Sequence, residues 1–575
     1  MGAGTSVPSE AQWQSELLGV DGSRLVYHED AAGHALPDFS HAGYRGGEIP
    51  LPDASTFHVV DAAPPGNRDA EAIQAALRQA KDWSRRHAGR PVQVRLQPGV
   101  YHLDTTLTVD FDGVVLRGAG DDPETGRHTT LRTPAGARFD YVVDVFGGWD
   151  DLNHRAGTPA ARIVRPARAG SRSVQVDDVS ALGPLAPGDV IVLSHPCTEA
   201  WLKAVDYGGA PNGQWKCGPA ADSASTERFG IHDDDYDVVY KRRVTAVDCA
   251  ANVVHFDAPL FTDFDAYTTG AGLAAVWKWT RGGQLREVGI EDLRIEIGFD
   301  PDVLDDGSRL GREPGDRWGR AYSVDEDHVA SGIRLLGVDD AWVRNVTVRG
   351  FTFSGLELRS AHRVTVQDVR AVEPAAVVTS PRRYNFKLGR FAQLVLFDRC
   401  YASEGRHAFV TQMAQTSGIV FWHTRGEGSI TYSGAHSSWS QGLLFDNHAE
   451  IAPNVAFRWD RKLGLQNRAG ANLTAENPKR EQPHGWAATN SVAWNVDLGG
   501  SVLVLHRPPI GQNFAVGVRG GVSAQNQWYE GDLGYVEGTN RPGLQPASLY
   551  EAQLRDRLSR PPAQTGSGTT CAALR

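Results

Sequence analysis

The chain has 575 residues, 41% of them hydrophobic and 22% charged, a composition typical of a globular protein with a large buried core. The formal net charge of −11 is spread along the chain, which argues against nucleic acid as the main partner. No apolar run approaches the roughly 18 residues that a transmembrane helix needs, so we expect no membrane insertion.

The N-terminal part of the sequence predicts an irregular segment, 1–60, followed by a helix and short strands. Asp69 can cap this helix. Its apolar residues recur at the spacing of one buried helix face, at Ile73, Ala76, Leu77 and Ala80. Short apolar runs separated by Gly, Asn and Asp follow at 93–120 and indicate strands with tight turns. We assign 61–161 to the first coils of a β-structure that this helix caps.

The segment 162–262 is predicted to be a β-rich insertion. Runs such as SVQVDDV and NVVHFDAPL predict strands around a polar middle. Cys197 and Cys217 are candidates for a disulfide, and the total of five cysteines leaves at least one thiol unpaired. No C-x-x-C pair occurs, so we expect neither a zinc site nor a redox site of that kind.

From about residue 285 the sequence repeats with a period of about 23 residues, and this repeat is its most informative feature. Each repeat holds two short strands: GIRLL then AWVRNVTV, GLELR then HRVTVQDV, YNFKL then LVLFDRC, HAFVT then GIVFWHT, SITYS then GLLFDNH. Strand-only repeats with Asn and Asp at the bends predict a parallel β-helix, a solenoid with one coil per repeat. Strands at 394–400, 418–424 and 442–448 should therefore stack in successive coils.

The remaining chain divides into the main coils, 263–530, and a C-terminal cover and tail, 531–575. Within the cover, 547–558 predicts a helix with three leucines near one face, Leu549, Leu554 and Leu558. The predicted fold class is all-β: a parallel β-helix with an N-terminal capping helix, a β-rich insertion and a C-terminal helix.

Three N-terminal segments, NRDAEAIQAAL, LQPGVYHL and GVVLRGAG, resemble the opening coil of right-handed β-helix proteins of the pectate-lyase-like superfamily. Further pieces are similar to a group of bacterial members: DEDH (325–328), GRHAFV (405–410), GAHSSWSQGLLFDN (434–447), LQNR (465–468) and PHGWA (483–487). The resemblance covers nearly the whole chain and implies a right-handed parallel β-helix. It does not choose among the lyases, hydrolases, epimerases and tailspikes of that superfamily.

Equivalent positions of successive coils stack about 4.8 Å apart, so aligned repeats predict which side chains lie together. One predicted column holds Ile333, Leu356, Tyr384, His407 and Ile430. A second holds Arg334, Glu357, Asn385, Ala408 and Thr431. The middle coils are polar and basic where structural coils usually carry small residues, which favours a functional groove over a solvated face.

We predict that this groove carries both catalytic and binding groups, with Arg406 and His407 facing solvent. The catalytic candidates from the middle coils are Tyr384, Arg406 and His407. The substrate-binding candidates beside them are Arg383, Lys387 and Arg390.

The loop before the strand at 332–336 is acidic and ends in Asp325, Glu326, Asp327 and His328. It should lie beside the start of the coil positions that carry Arg383, Arg406 and His407. Three roles stay open for it: binding Ca²⁺, acid–base catalysis, and a solvated loop. We predict Asp325, Asp327 and His328 as catalytic candidates, and Glu326 with Asp327 as the Ca²⁺ ligands.

Later coils add four candidate substrate-binding residues, His423, His436, Trp439 and Asp446. A Trp beside a His suits a sugar ring, because the apolar ring face stacks on the aromatic while polar groups meet the hydroxyls. No H-x-H or H-E-x-x-H spacing occurs, so no zinc site is expected.

These candidates favour a polysaccharide lyase that cleaves an anionic, uronic-acid-containing glycan by β-elimination, with His or Tyr moving the protons. One alternative is a glycoside hydrolase with paired carboxylates drawn from Asp325, Glu326, Asp327 and Asp446. Another is a glycan-binding protein without catalysis. Each implies a polysaccharide partner and a secreted or periplasmic location after removal of a signal peptide, and the fold does not decide among them.

Overall fold

The computed structural model describes residues 11–560 with internal gaps. The gaps are 23, 149–151, 153–156, 210–214, 216, 218–235, 265–273, 281, 305–322, 379–380, 452–460, 470–483 and 527–528. The predicted tail beyond 560 and most of the acidic loop before Ser323 therefore lie outside the described residues.

Within the described ranges, a set of 29 strands winds into a parallel β-helix, so the predicted fold class is confirmed. The strands Gln393–Asp398, Ser417–Trp422 and Ser440–Asp446 stack in successive coils, as the repeat predicts. No helix among the described residues is long and apolar enough to cross a membrane.

Each coil has three faces, which we number in chain order. Face 1 comprises Leu107–Val109, Tyr141–Phe146, Ser331–Asp339, Ser354–His362, Tyr384–Leu388, His407–Gln412, Ser433–Ser437 and Arg461–Leu465. Face 2 comprises His58–Asp61, Val92–Arg95, Val114–Arg117, Gln393–Asp398, Ser417–Trp422, Ser440–Asp446, Ala488–Thr489, Ser491–Trp494, Asn513–Val516 and Tyr535–Glu537.

Face 3 is built partly from strands that turn the corner from face 2. These corner strands are Gly289–Ile297, Trp342–Arg349 and Thr365–Val372. Strands confined to face 3 are Gly99–His102, Thr129–Thr133, Tyr401–Ser403, Arg425–Glu427 and Ala449–Ile451. Asp497–Leu505 and Arg519–Ser523 continue from face 3 into face 1 of the last coils, and Leu285–Arg286 pairs with the end of Ser331–Asp339.

Apolar side chains from all three faces fill the coil interior as one continuous core. Phenylalanine rings stack along the helix axis between successive coils: Phe386 with Phe409 at 5.0 Å between centroids, and Phe421 with Phe445 at 4.6 Å. Such stacking favours one register, because a slip of one residue would turn the rings out of the core.

The N-terminal helix, α1 (Asp69–Arg86), buries the face that its sequence predicts, with Ile73 and Leu77 packed into the interior core. Asp69 does not cap it in the predicted way. Its carboxylate accepts the backbone N–H groups of Gly66 and His102 and so joins the helix start to the first coils.

The insertion is a separate six-stranded antiparallel sheet, and it extends beyond the predicted 162–262 at both ends. Its strands are Ala160–Arg162, Ser173–Gln175, Val190–His195, Val238–Asp248, Val253–Phe256 and Ala275–Lys278. A short helix, α2 (Glu199–Ala204), follows the third strand, and Cys197 forms the expected disulfide with Cys217. A buried ion pair between Lys241 Nζ and Asp339 at 2.9 Å joins the insertion to the β-helix.

The N-terminal segment and the C-terminal helix, α3 (Leu549–Ser559), cover the outside of face 2 together. The segment contains short paired strands, Trp13–Gln14 with Leu544–Gln545 and Leu18–Asp21 with Arg24–Tyr27. The predicted leucine face of α3 is wrong at Leu558, which is 49% exposed. The helix is held by polar contacts instead: Tyr550 Oη donates to the carbonyl of Ala42, and Gln553 Nε2 donates to that of Pro37.

The predicted column alignment is wrong by two residues in the third and fourth repeats and by three in the fifth. Ile333 and Leu356 continue to Phe386 and Phe409, whereas Tyr384 pairs with Ser354 and His407. The bend before Tyr384 is longer than the others, and Arg383 takes a positive φ of 60° there, so the aligned positions fall later than the spacing indicates.

Candidate functional site

Side chains from successive coils meet at the beginning of the face 1 strands. Tyr384 and His407 begin their strands, Tyr432 directly precedes Ser433–Ser437, and His436 lies within that strand. The site also draws on the small antiparallel pair Asn467–Arg468 and Gly485–Trp486. We call the assembled group the histidine–tyrosine cluster; its members are Tyr384, Arg406, His407, Tyr432, His436, Arg468 and His484.

His407 is the buried centre of this cluster. Its ring centroid lies 4.7 Å from that of His436, 5.0 Å from that of Tyr432 and 5.4 Å from that of Tyr384. The expectation that its side chain faces solvent is therefore wrong, since these rings leave it 1% exposed. Arg406, at the preceding position, is half-buried.

The hydrogen bonds of His407 indicate which ring nitrogen carries the proton. Nδ1 lies 2.7 Å from the carbonyl oxygen of Tyr432, which can only accept, so we infer that Nδ1 is protonated and Nε2 keeps its lone pair. Burial, followed by the charges of Arg406 and Arg468, holds the pKa of His407 well below its ordinary value. The imidazole is thus neutral near pH 7 and able to accept a proton.

A second histidine pair extends the cluster. The Nε2 atoms of His436 and His484 are 3.0 Å apart, so one ring donates a hydrogen bond to the other. Burial, followed by the charge of Arg468, also holds the pKa of His436 well below its ordinary value. The imidazole of His436 is therefore neutral near pH 7.

The two arginines contact the two tyrosines. Arg406 Nη1 donates a hydrogen bond of 3.0 Å to Tyr384 Oη. Arg468 Nη1 donates to the carbonyl of His436 at 2.6 Å, and its guanidinium carbon lies 5.3 Å from the Tyr432 ring centre. Burial raises the pKa of Tyr432 to about 12, so its phenol stays protonated.

Two buried polar atoms of the cluster have no hydrogen-bond partner among the described residues: the hydroxyl of Tyr432 and Nδ1 of His436. An unsatisfied buried polar group costs about 1–3 kcal/mol, and such groups are retained where a ligand satisfies them. These two atoms are the reason for treating the cluster as the candidate site.

The acidic loop is held by contacts of its own. The carboxylate of Asp325 accepts the backbone N–H groups of Asp300 and Asp327. Glu326 pairs with Arg382, and the largely exposed Asp327 pairs with Arg138. No hydrogen bond or ion pair among the described residues joins these carboxylates to the histidine–tyrosine cluster.

His328 is buried, with both ring nitrogens near backbone carbonyls: Nδ1 is 3.0 Å from that of Val329, and Nε2 is 3.2 Å from that of Ala375. These contacts indicate a structural role for His328, because a backbone carbonyl lies beside each ring nitrogen. Within the described ranges no three His, Cys, Asp or Glu side chains come together as metal ligands would. In the described part of the loop, the two predicted Ca²⁺ ligands pair with different arginines, Glu326 with Arg382 and Asp327 with Arg138.

The predicted binding arginines and lysine mostly hold the scaffold. Arg383 is fully buried and donates to the carbonyls of Ala376 and Glu404, which ties the long bend to the next coil. Lys387 is paired with Glu357 at 3.1 Å on the outer side of face 1. Arg390 is half-buried, with its guanidinium carbon 5.0 Å from the Phe391 ring centre.

Glu357 is the centre of a buried charged group on face 1. Its carboxylate contacts Lys387, Arg359 Nε at 2.8 Å and the hydroxyl of Tyr141 at 3.0 Å. Burial opposes ionisation of Glu357, but the charges of Arg359 and Lys387 prevail and lower its pKa to about 2. Lys387 is therefore not free to bind a substrate carboxylate.

Three predicted binding residues lie away from the cluster. His423 is exposed at the bend that follows face 2, where it stacks on Trp422. Trp439 is fully buried edge-on against Trp201 and Trp215 of the insertion, at 5.9 and 6.5 Å between centroids. A sugar cannot stack on this ring, because the insertion covers it.

Asp446 is also fully buried and anchors α3. Its carboxylate accepts the hydroxyl of Ser548 and the backbone N–H of Tyr550, the first-turn groups of that helix. Burial raises the pKa of Asp446 to about 7. Its role as a sugar-binding residue is therefore wrong, and its role is to hold the C-terminal cover on face 2.

We expect Trp439→Ala to lower the free energy of unfolding by about 3–5 kcal/mol, because it leaves a large cavity between the insertion and face 2. Urea denaturation would measure this change. Leu558→Ala is the matched exposed control and should change stability by no more than about 0.5 kcal/mol. A stable Trp439→Ala protein with weakened polysaccharide binding would contradict this assignment.

The sequence analysis did not predict Tyr432, Arg468 or His484 as site residues. Tyr432 lies two residues after a column position that was aligned out of register. Arg468 and His484 lie beyond the last sequence repeat, which ends at 448, so the repeat period does not predict their positions. The segments LQNR and PHGWA carry both residues and were the available signal.

No protein-family model matches the chain, and no curated protein matches its sequence significantly. Among solved structures it is similar to the tailspike protein gp49 from Pseudomonas phage LKA1, with a TM-score of 0.36 and 13% identity over 79% of this chain and 65% of the tailspike. The chain thus spans less than two thirds of that tailspike.

Two hydrolases are similar to a comparable degree. A structure described as a glycoside hydrolase has a TM-score of 0.34 and 11% identity over 87% of this chain and 98% of its own. Endo-xylogalacturonan hydrolase from Aspergillus tubingensis has a TM-score of 0.32 and 9% identity over 84% and 92%. None of these likenesses assigns an activity to this chain.

Proposed function

We propose that the protein is a polysaccharide lyase that cleaves a uronic-acid-containing glycan by β-elimination at the histidine–tyrosine cluster. The observation that carries the proposal is the chemistry of the cluster: its contacting side chains are His, Tyr and Arg, with no Asp or Glu among the described ones. β-Elimination needs a cation beside the carboxylate, a base for C5–H and an acid for the leaving oxygen, and this set supplies each.

In the proposed reaction, Nε2 of His407 takes the C5 proton, and the electrons of that C–H bond form the C4=C5 double bond. The C4–O4 bond then breaks, and O4 receives the proton of the Tyr384 hydroxyl. The Arg406 hydrogen bond to Tyr384 stabilises the phenolate that remains. Arg406 and Arg468 provide the positive charge that neutralises the uronate carboxylate as negative charge develops at C5.

A glycoside hydrolase would use two carboxylates on opposite sides of the bond. The carboxylates proposed for that role already have structural partners. Asp325 accepts two backbone N–H groups, Asp327 pairs with Arg138, and Asp446 anchors α3 on face 2. The hydrolase remains the alternative that the activity assay must distinguish.

The assay incubates the protein with polygalacturonate, alginate and other uronic-acid polymers, and with neutral polysaccharides as controls. Reducing ends and the ultraviolet absorbance of 4,5-unsaturated uronates are followed together. We expect both signals to rise in proportion on at least one uronic-acid polymer. Reducing ends without the absorbance would establish hydrolysis instead, and no new reducing ends on any polymer would favour a binding protein.

We further propose a secreted or periplasmic location. The disulfide between Cys197 and Cys217 supports it, because disulfides persist chiefly in oxidising compartments. Cell fractionation should find the protein outside the cytoplasm with this pair oxidised. Recovery from the cytoplasm with both thiols reduced would contradict the proposal.

A further inference from the structure

A polar groove of about 660 Å³ runs along face 3, and no member of the histidine–tyrosine cluster lines it. Its floor is a ladder of paired outward positions on successive coils: Arg294, Thr347, Arg370 and Tyr401. Neighbouring residues on these strands, such as Val348 and Ala371, point into the core. With rungs about 4.8 Å apart, the ladder offers about 14 Å of groove along the helix axis.

The lining of the groove carries charges of both signs. Its acidic wall is the turn around Pro123–Thr125, which presents Asp121, Asp122 and Glu124. The positive charge of Arg399, in contrast, is compensated by Asp368 through two hydrogen bonds of 2.9 Å. The acidic wall would repel an anionic ligand, and Arg370, which forms no ion pair with the described residues, would repel a cationic one.

Arg370 is the arginine of the groove whose guanidinium is available to bind a ligand. Arg294 is paired with Glu296 at 2.7 Å, and Arg399 is paired with Asp368. Arg370 is exposed, forms no ion pair with the described residues, and lies with its guanidinium carbon 4.8 Å from the Tyr401 ring centre. Tyr401 is itself held through a hydrogen bond of 3.1 Å to Glu427. The groove therefore presents a positioned donor together with the carboxylate acceptors of its acidic wall.

We propose that this groove binds a neutral oligosaccharide segment lying along the helix axis. A sugar hydroxyl both donates and accepts, so one ring can donate to Glu124 and accept from Arg370. The amide oxygen of Asn345 adds an acceptor to the lining, while its Nδ2 donates to Asp292 at 2.8 Å. The lining offers no large apolar side chain for a peptide, and the acidic wall repels nucleic acid.

This inference goes beyond the proposed function, because it assigns binding to a different face and to sugars without charge. It predicts that the substrate of this protein, or a glycan associated with it, contains neutral stretches. Binding at face 3 should be independent of catalysis at face 1.

Affinity electrophoresis tests the groove with defined probes: galactan, xylan, galactomannan and dextran as neutral polymers, and polygalacturonate and alginate as anionic ones. We expect at least one neutral polymer to retard the protein. Arg370→Ala should weaken that retardation about tenfold or more, since it removes a charged hydrogen-bond donor. Glu124→Ala, in the acidic wall of the groove, should weaken the retardation as well.

Two variants provide the controls. Arg349→Ala removes an arginine of the same face that does not line the groove, and it should bind as the unchanged protein does. His407→Gln should also keep full binding, which separates failure of this inference from failure of the proposed lyase activity. Retardation by anionic polymers alone, or by no polymer, would overturn the inference. So would neutral binding that neither Arg370→Ala nor Glu124→Ala weakens while thermal melting shows both variants folded.

Discussion

Replacing His407 with glutamine is expected to lower kcat on a uronic-acid polymer by at least about a hundredfold, the usual contribution of a general base. Glutamine can still donate to the carbonyl of Tyr432, which accepts from Nδ1 of His407, so the fold should persist. It cannot take a proton, however. A loss of kcat with little change in KM is therefore the expected pattern.

The matched control is His423→Gln, an exposed histidine on another bend, which should keep full activity. The pH profile provides a second check. Because burial and the neighbouring arginines lower the pKa of His407, the acid limb of kcat/KM should lie below pH 6.5. Turnover of His407→Gln within about threefold of the unchanged protein would remove His407 from the base role.

A large and pH-dependent effect on stability is expected from Glu357→Gln. Because the folded-state pKa of about 2 lies below the ordinary 4.5, ionised Glu357 stabilises the fold above pH 4.5, and this contribution is lost as the pH falls toward 2. We expect the variant to lose about 3 kcal/mol of unfolding free energy at pH 7, with Lys387 and Arg359 left buried and uncompensated. The difference in unfolding free energy between Glu357→Gln and the unchanged protein should become smaller below pH 4.5.

Urea denaturation at several pH values measures this difference. Glu373→Gln is the control, since Glu373 forms an exposed ion pair with Arg349 worth at most about 1 kcal/mol. Equal stability of the Glu357 and Glu373 variants at pH 7 would show that the charged group around Glu357 is not a structural anchor.

The fold was predictable because the repeat reports it directly. Stacked phenylalanines such as Phe386 and Phe409 recur at the repeat period and occupy one interior column. The register around Tyr384 was not predictable, since a bend of unusual length precedes it and length alone does not show where the next strand starts. The sequence locates the covering elements, but which of their residues make contact depends on partners far away in the chain. In α3, for example, Leu558 is exposed whereas Gln553 is buried.

The candidate site was predictable only in part. Tyr384, Arg406, His407 and His436 were identified from polar positions in the repeat, and the structure brings them together. Trp and Asp are residue types that bind sugars, and Trp439 and Asp446 were predicted as binding residues for that reason. They are instead buried by the insertion and by α3, contacts with parts of the chain far away in sequence, which local patterns do not encode.

Mass spectrometry of the products from one cleaved uronic-acid polymer tests the central claim most directly. The account predicts that each new non-reducing end carries a 4,5 double bond, so the product is one water molecule lighter than the saturated oligosaccharide. The product should disappear in His407→Gln and persist in Arg370→Ala. Saturated oligosaccharides of full mass would contradict β-elimination at the histidine–tyrosine cluster.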